Sequence, residues 1–426
     1  MFKSELTRRI AGNTFYQLAG KTISMVITIF ATVLVTRMYG REGYGEFSLM
    51  QNFPALFFII VDFGFNAIVI REISNNLAKA KDYISNILLI RIVMSLFLGI
   101  FCYVLLRFFP YSEQLRFGIY LSLVLILTQA LYATTNIIFQ VKLRYDLSAI
   151  GYIAGSVLVL VLVLLFSYLR LSIVWVSFAY VLGGLLTFFV NALLANKLAP
   201  VFSFRFKVDP IVCKYLIIQS LPLGLMFIFS QINFKADSIL LSILKLPSHI
   251  NLSNTEAVGI YSLPYKMFEV SLVIPTFFMN AVYPVLVSRM VESKEKLKST
   301  FFKSYSVLFG FGTIVSALGI LFAPLAIDVL GGANFSQSVN VLRLLMVGNF
   351  VFYLTSPLAW LIVTLGKQKY LPGIYLVSAV FNVAANLVFI PRYAFFASSV
   401  ITWISELLIL ALLSFFTLKA WKLKYA

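Results

Sequence analysis

Three basic side chains, Lys21, Arg91 and Lys235, fall inside long apolar segments of the sequence. A Lys or Arg at the centre of a membrane-spanning helix costs about 2.5–3.5 kcal/mol on insertion scales, so each needs a polar cavity, a partner or a route to the headgroups. In a cavity, such cations would bind an anionic substrate group such as a diphosphate. The alternative is a side chain that snorkels to the membrane surface, and it applies most directly to Lys21 and Arg91, which lie nearer their segment ends. Lys235 lies deeper, and we predict that it faces a water-filled cavity.

Four acidic side chains also fall within apolar segments. They are Asp62, Asp237, Glu269 and Glu406. A buried carboxyl that takes and releases a proton is a standard element of ion-coupled transport, so these four are the candidates for coupling. The alternative for each is a static ion pair with a cation on another helix. Asp237 follows Lys235 by two residues, a spacing that puts the two side chains on different faces of a helix and argues against a simple mutual pair.

The sequence gives little support to other kinds of chemistry. Gly20-Lys21-Thr22 has the appearance of the end of a phosphate-binding P-loop, but Phe15 stands where that motif needs Gly. Cys102 and Cys213 form no CxxC, and His249 is the single histidine, so neither a disulfide framework nor a clustered metal site is predicted. We therefore expect no cofactor and no enzymatic activity.

The elements that must position these residues are membrane helices. Of the 426 residues, 61% are hydrophobic and 12% are charged, whereas a soluble domain has about 45–50% and about 25%. Apolar runs bounded by charges and by Gly or Pro turns predict about twelve spans. They lie near residues 13–36, 46–70, 83–106, 116–139, 147–168, 172–196, 213–240, 258–287, 302–325, 338–364, 370–391 and 395–418. The predicted fold class is an all-α polytopic membrane protein.

A pattern that returns halfway along the chain predicts two six-helix lobes, residues 1–210 and 211–426. The heptapeptide 43–49, GYGEFSL, is similar to residues 257–263, AVGIYSL, at an offset of 214. The same offset carries Lys21 onto Lys235, each in the first helix of its half. Internal repeats are usual in secondary transporters, whose substrates bind near the bilayer midplane between the halves. Within the first half, the GxxxG pattern of Gly151 and Gly155 predicts close helix packing inside the monomer.

The basic residues predict the orientation in the membrane. The net charge of +18 fits loops that are retained in the cytoplasm and contact anionic headgroups, and it does not require nucleic acid. If the N-terminus is cytoplasmic, 22 of the 34 basic residues fall on that side, including Lys3, Arg8, Arg9, Arg205 and Lys207. The opposite side receives seven, and five more lie within or at the edges of spans. We therefore predict that both termini are cytoplasmic.

Several segments together resemble the polysaccharide-unit flippases, the O-antigen and capsule transporters of the multidrug/oligosaccharidyl-lipid/polysaccharide (MOP) superfamily. The segments that carry the resemblance are residues 36–48 (TRMYGREGYGEFS), 62–66 (DFGFN), 71–73 (REI), 234–240 (FKADSIL), 258–262 (VGIYS) and 265–266 (YK). The resemblance covers the whole chain. Where this family often has Arg in the pattern of residues 234–240, the chain has Lys235, a point charge instead of a bidentate fork.

The resemblance implies a two-lobed inner-membrane protein with the fold of multidrug exporters. Such a protein turns undecaprenyl-diphosphate-linked oligosaccharide from the cytoplasmic to the periplasmic leaflet by alternating access. Lys21, Arg91 and Lys235 would then bind the substrate, and its partners would be the lipid-linked oligosaccharide, membrane lipid, a proton or sodium gradient and the polysaccharide polymerase machinery. Two alternatives stay open at this point. One is a multidrug or organic-cation exporter of the same superfamily, and the other is a membrane enzyme that acts on polyprenyl-linked glycans.

Overall fold

The computed structural model describes residues 2–76, 79–199 and 208–425, and it describes the side chains of residues 19–74, 76, 79–199 and 208–425. Arg205, Lys207 and the side chains of Lys3, Arg8 and Arg9, all used in the orientation argument, lie outside the described residues. Within the described ranges the regular elements are α-helices and short 3₁₀ turns. The α-helices are α1 Phe2–Asp62, α2 Phe65–Asn75, α3 Ala80–Leu105, α4 Glu113–Ser122, α5 Val124–Val141, α6 Tyr145–Tyr168, α7 Ile173–Leu198, α8 Pro210–Ile243, α9 Asn254–Ser271, α10 Val273–Glu292, α11 Lys294–Leu321, α12 Ala323–Gly331, α13 Ser338–Thr364 and α14 Leu371–Tyr425.

Ten segments of the described chain are long and apolar enough to cross a membrane. Two of them, Ala19–Ser74 and Gln368–Tyr425, have 56 and 58 residues, far more than the roughly 20 that one span needs. Each contains a residue with non-helical backbone angles, Gly40 in α1 and Ala394 in α14. Counted as two spans each, these long segments give the predicted number of about twelve. The all-α polytopic fold is therefore confirmed.

The two interruptions have different causes in the sequence. Gly40 has φ 65° and ψ −167°, a conformation that glycine adopts without the steric penalty of a Cβ atom. Ala394 has φ 48° and ψ −133°, which is strained for a residue with a side chain. It follows Pro391, whose missing N–H already weakens the helix at that point. A glycine thus permits the first interruption, and a proline precedes the second.

The chain divides into two compact units, residues 1–224 (unit 1) and residues 225–426 (unit 2), with the boundary inside α8. The six-plus-six duplication inferred from the sequence repeat stays a prediction. In unit 1, α6 and α7 approach closely because Gly155 faces α7: a Cβ at this position would lie 2.6 Å from the carbonyl oxygen of Gly183. The predicted packing role of the GxxxG pattern is therefore confirmed.

Each unit has an apolar core built by its own helices. In unit 1, Phe65 and Ile73 of α2 pack with Ile87 of α3 and Phe139 of α5. In unit 2, α13 packs with α9, α10, α11 and α14. The core of this unit includes the side chains of Leu308, Tyr353, Ile362, Leu371 and Leu413. These cores hold fixed the helices that carry the buried charges.

Candidate functional site

Arg91 lies at the centre of a polar cluster in unit 1. Its side chain is fully buried in α3, and Nη2 donates to Asp62 Oδ1 at 2.6 Å and to Asn66 Oδ1 at 3.0 Å. Nη1 donates to Thr134 Oγ1 of α5 at 2.8 Å. Arg91 therefore does not snorkel to the membrane surface. The structure places Arg91 and Asp62 in one ion pair, and the cluster around it joins four helices, α1, α2, α3 and α5.

Arg91 bridges a break in the helical backbone between Asp62 and Asn66. Phe63 (φ 43°) and Gly64 (φ 69°) separate α1 from α2 and both have left-handed backbone angles. Asp62 is the last residue of α1, and Asn66 is the second residue of α2. Because one guanidinium nitrogen binds both side chains, Arg91 holds the two helix ends together across the break.

Lys21 lines a cavity of about 300 Å³ inside unit 1. The cavity lies among α1, α5 and α6, and Tyr132, Asn136 and Tyr152 are among its other lining residues. None of the nine residues that line it is acidic. The cavity is therefore lined by a cation, by neutral polar groups and by aromatic rings.

Lys235 and Glu269 form an ion pair in unit 2. Lys235 Nζ lies 2.6 Å from Glu269 Oε1, and the two side chains are 14% and 28% exposed. The ammonium group also lies 5.9 Å from the ring centroid of Tyr265. Both side chains thus retain some access to their surroundings, although each already has a partner of opposite charge.

Asp237 is fully buried in unit 2 and is held by neutral hydrogen-bond donors. Tyr261 Oη donates to its Oδ2 at 2.7 Å, and Thr402 Oγ1 donates to the same oxygen at 2.9 Å. Asn386 Nδ2 donates to Oδ1 at 2.9 Å. Asp237 and Lys235 thus contact different partners, as their spacing predicts.

Glu406 lies elsewhere in the same unit. Its side chain is 8% exposed and accepts a hydrogen bond from Thr355 Oγ1. The four predicted acids therefore occupy two kinds of environment. Asp62 and Glu269 are paired with cations, whereas Asp237 and Glu406 accept hydrogen bonds from neutral groups.

Sequence reasoning did not single out the partners of Asp237 as site residues. One signal was present: Asn382 and Asn386 are four residues apart in an apolar span, which puts two amides on one helix face. Asn386 Nδ2 lies 3.2 Å from Asn382 Oδ1. Thr402 and Tyr261 gave no comparable signal, because single hydroxyl groups are common in membrane helices.

The sequence matches one protein family over residues 10–290, which is more than half of the chain. The chain belongs to this family, whose description is "polysaccharide biosynthesis protein". No curated protein matches the sequence.

Solved structures of three transporters are similar to the chain over nearly its whole length. A multidrug resistance MATE family transporter of the MOP superfamily, in an inward-facing conformation, has TM-score 0.76 and 14% identity, covering 97% of this chain and 100% of that one. The lipid II flippase MurJ has TM-score 0.76 and 13% identity, with 95% and 89% covered. A MOP superfamily transporter from Pyrococcus furiosus has TM-score 0.65 and 15% identity, with 97% and 94% covered. The chain therefore has the fold of the MOP superfamily and is a multi-pass membrane protein.

Proposed function

We propose that this protein is a flippase that moves an undecaprenyl-diphosphate-linked oligosaccharide repeat unit, of O-antigen or a similar surface polysaccharide, from the cytoplasmic to the periplasmic leaflet. It works by alternating access in the bacterial inner membrane, with both termini in the cytoplasm. The observation that carries the proposal is membership of a polysaccharide biosynthesis family on a transporter fold. The flipped unit would pass to the polysaccharide polymerase machinery.

The basic residues supply what such a substrate needs. A diphosphate and a hydrophilic glycan cannot cross hydrocarbon unaided, and cations within the spans offset the cost of bringing the diphosphate into the membrane. Lys21 lines a polar cavity, and Lys235 is 14% exposed beside an acid. Arg91 is fully buried and paired, so its part in substrate binding requires the Asp62 pair to open. Lys21 and Lys235 therefore carry the binding proposal more directly than Arg91.

Asp237 is the best-placed of the four coupling candidates. A carboxylate surrounded only by neutral donors gains most from taking up a proton or a sodium ion, because either one removes an uncompensated charge from a buried site. Asp62 and Glu269 already have cationic partners. Glu406 has one donor among the described residues, the Thr355 hydroxyl, and is the second choice. Flipping would then be driven by an ion gradient that changes the balance of the two access states.

Replacement of Lys235 tests the substrate-binding role. We expect Lys235→Ala to abolish flipping of the lipid-linked unit in sealed vesicles and Lys235→Arg to retain part of it, because the charge survives. Lys245→Ala is the matched control, since Lys245 is exposed just beyond the end of α8. The double variant Lys235→Ala/Glu269→Gln leaves no unpaired carboxylate. Normal flipping by this double variant would make Lys235 a structural residue only.

Reporter fusions test the orientation. A phosphatase fused after Gly43 or Asn251 should be active, because these residues fall on the predicted periplasmic side, and a fusion after Lys294 should be inactive. The reverse pattern would overturn the assignment of both termini to the cytoplasm.

An organic-cation exporter is the second candidate, because the fold is equally similar to that of a multidrug resistance transporter. Organic cations favour an acidic cavity, whereas the cavity of unit 1 has a lysine and no acid in its lining. Expression in a strain that lacks its own drug exporters separates the two. Resistance to ethidium without rescue of a flippase deletion would favour the exporter.

A further inference from the structure

The cavity of unit 1 has a polar lining although it lies among apolar membrane helices. Two stripes of side chains face it from neighbouring helices. Tyr132, Asn136 and Gln140 are spaced four residues apart on α5, and Ser148 and Tyr152 are spaced four apart on α6. Residues at this spacing share one face of a helix. An ionisable residue among membrane helices, here Lys21 beside these polar side chains, is typical of a substrate or ion pathway.

One wall of the cavity is aromatic. The rings of Tyr132 and Tyr152 stack on each other, with centroids 6.0 Å apart and planes inclined by 29°. Tyrosine offers a rigid apolar face together with a polar edge, which suits a ligand that is apolar on one face and hydroxylated at its rim. The wall therefore fits a sugar ring better than a purely apolar ligand.

The amide groups of the cavity are oriented by neighbouring side chains. Ser148 Oγ donates to Asn136 Oδ1 at 2.8 Å, so the Nδ2 group of Asn136 is left to act as a donor. Gln140 lines the cavity one turn further along α5. Gly20, which also lines the cavity, permits close approach of α1 to α6, because a Cβ atom on Gly20 would lie 2.7 Å from the Cβ atom of Ala149. The volume of about 300 Å³ is at the small end of the range for small-molecule sites, about 300–1,000 Å³.

We propose that this cavity binds a sugar ring that carries a phosphate. The ring packs on the Tyr132–Tyr152 wall, its hydroxyl groups bond to Asn136 and Gln140, and the phosphate contacts the ammonium group of Lys21. The inference rests on the proposed function. The sugar is then the first one of the repeat unit, which is joined directly to the lipid diphosphate. The protein would thus select glycosylated lipid over the bare lipid carrier.

Competition between two lipids tests the cavity. The full-length protein in detergent is mixed with equal amounts of undecaprenyl diphosphate and of the lipid-linked repeat unit extracted from cells that make the polysaccharide, and bound lipid is measured by native mass spectrometry. We expect the wild-type protein to prefer the glycosylated lipid by about tenfold, the effect of one or two hydrogen bonds and a ring contact. Tyr152→Ala should reduce this preference to about onefold, and Tyr152→Phe should retain most of it.

Two further variants separate the roles of the groups. Lys21→Ala should weaken the binding of both lipids to the same extent, because both carry the diphosphate. Asn136→Ala should lower only the preference, and it replaces Tyr152→Ala if that variant fails to fold. Tyr168→Ala is the matched control for Tyr152→Ala, since Tyr168 is the last residue of α6, the helix that carries Tyr152, and is 84% exposed.

The outcomes distinguish this inference from the proposed function. If Tyr152→Ala and Asn136→Ala keep the wild-type preference, or if the wild-type protein has no preference, the cavity is not the sugar site, although a flippase function survives. Binding of neither lipid by the wild-type protein would overturn both proposals. A preference of the wild-type protein for the bare carrier would make the cavity a site for diphosphate or phospholipid headgroups and would overturn the sugar assignment alone.

Discussion

The two units place their buried charges in opposite ways. Among the described side chains of unit 1 the fully buried charge is a cation, Arg91, whose guanidinium is bound to Asp62. In unit 2 the fully buried charge is an acid, Asp237, which is bound by neutral donors. A buried ion pair is neutral as a whole and stays so while it remains closed. A carboxyl with neutral partners changes its charge whenever it takes up a cation. From this difference we propose that the Arg91 cluster stabilises the fold and that Asp237 is the group that takes up an ion.

The two lysines related by the sequence repeat differ as well. Lys235 is joined to Glu269 at 2.6 Å, whereas Lys21 lines a cavity without an acidic residue. A sequence match at the same offset thus does not give the two lysines the same surroundings: an ion pair surrounds Lys235, and a polar cavity adjoins Lys21.

The largest effect is expected when the Arg91 pair is broken. Arg91→Met leaves the Asp62 carboxylate without its cation and should destabilise the protein by about 3–5 kcal/mol. The double variant Arg91→Met/Asp62→Leu should recover most of this loss, because it leaves no unpaired buried charge. Unfolding in detergent, followed by circular dichroism, measures both. If Arg91→Met is as stable as the wild-type protein, the Arg91–Asp62 pair does not stabilise unit 1.

The variant Asp237→Asn tests the coupling role proposed for unit 2. The amide keeps a carbonyl acceptor of similar shape but cannot balance a bound proton or sodium ion, so we expect a folded protein whose flipping rate no longer depends on the gradient. The rate should be severalfold below that of the wild-type protein and equal to it once the gradients are collapsed. Initial rates in sealed vesicles, with and without ionophores, provide the measurement. A gradient effect that persists in Asp237→Asn would move coupling to another residue.

The Lys235–Glu269 pair should have an intermediate effect on stability. Both side chains retain partial exposure, so a double-mutant cycle of Lys235→Ala and Glu269→Gln should give a coupling energy of about 1 kcal/mol. The corresponding cycle for Arg91 and Asp62 should give a larger value. Equal coupling energies would mean that the two pairs do not differ in their contribution to the fold.

The smallest effect is expected at the surface pair of Arg144 and Asp146. Their atoms lie 2.9 Å apart, but the side chains are 45% and 30% exposed. Exposed pairs contribute about 0.2–1 kcal/mol, so Arg144→Ala should shift the unfolding midpoint little. It serves as the reference for the loss of one arginine from unit 1. If Arg144→Ala lost as much stability as Arg91→Met, the loss would not depend on whether the arginine is buried or exposed.

The sequence predicted the helical spans well because apolar runs of sufficient length can satisfy their backbone groups in lipid only as helices. It did not show that residues 19–74 and 368–425 contain consecutive spans joined without a loop. Gly40 and Ala394 fall in the gaps 37–45 and 392–394 between predicted spans, so the places of the two interruptions were predicted, but composition does not show that the chain stays helical on both sides of a single residue.

The partners of the buried charges were harder to predict than the charges themselves. A lone Lys, Arg, Asp or Glu in an apolar run is visible in the sequence, but its partner depends on which helices become neighbours. Asp62 and Arg91 are 29 positions apart, and Asp237 and Thr402 are 165 apart. Helix periodicity relates residues only three or four positions apart. Both static pairs were left open as alternatives, and the structure selects them for Asp62 and Glu269.

The Arg91 cluster has a consequence for how the chain enters the membrane during synthesis. The chain emerges from the N-terminus, so α1, which contributes Asp62, is already present when α3 brings Arg91 into the bilayer. Thr134 of α5 is made later. The insertion cost of about 2.5–3.5 kcal/mol for Arg91 is lowered at that moment by pairing with Asp62 and by the Asn66 side chain, both of which precede α3 in the chain. We therefore expect the first two predicted spans and α3 to leave the insertion machinery as a group, and Thr134 to join the guanidinium afterwards, when the rest of unit 1 assembles around it.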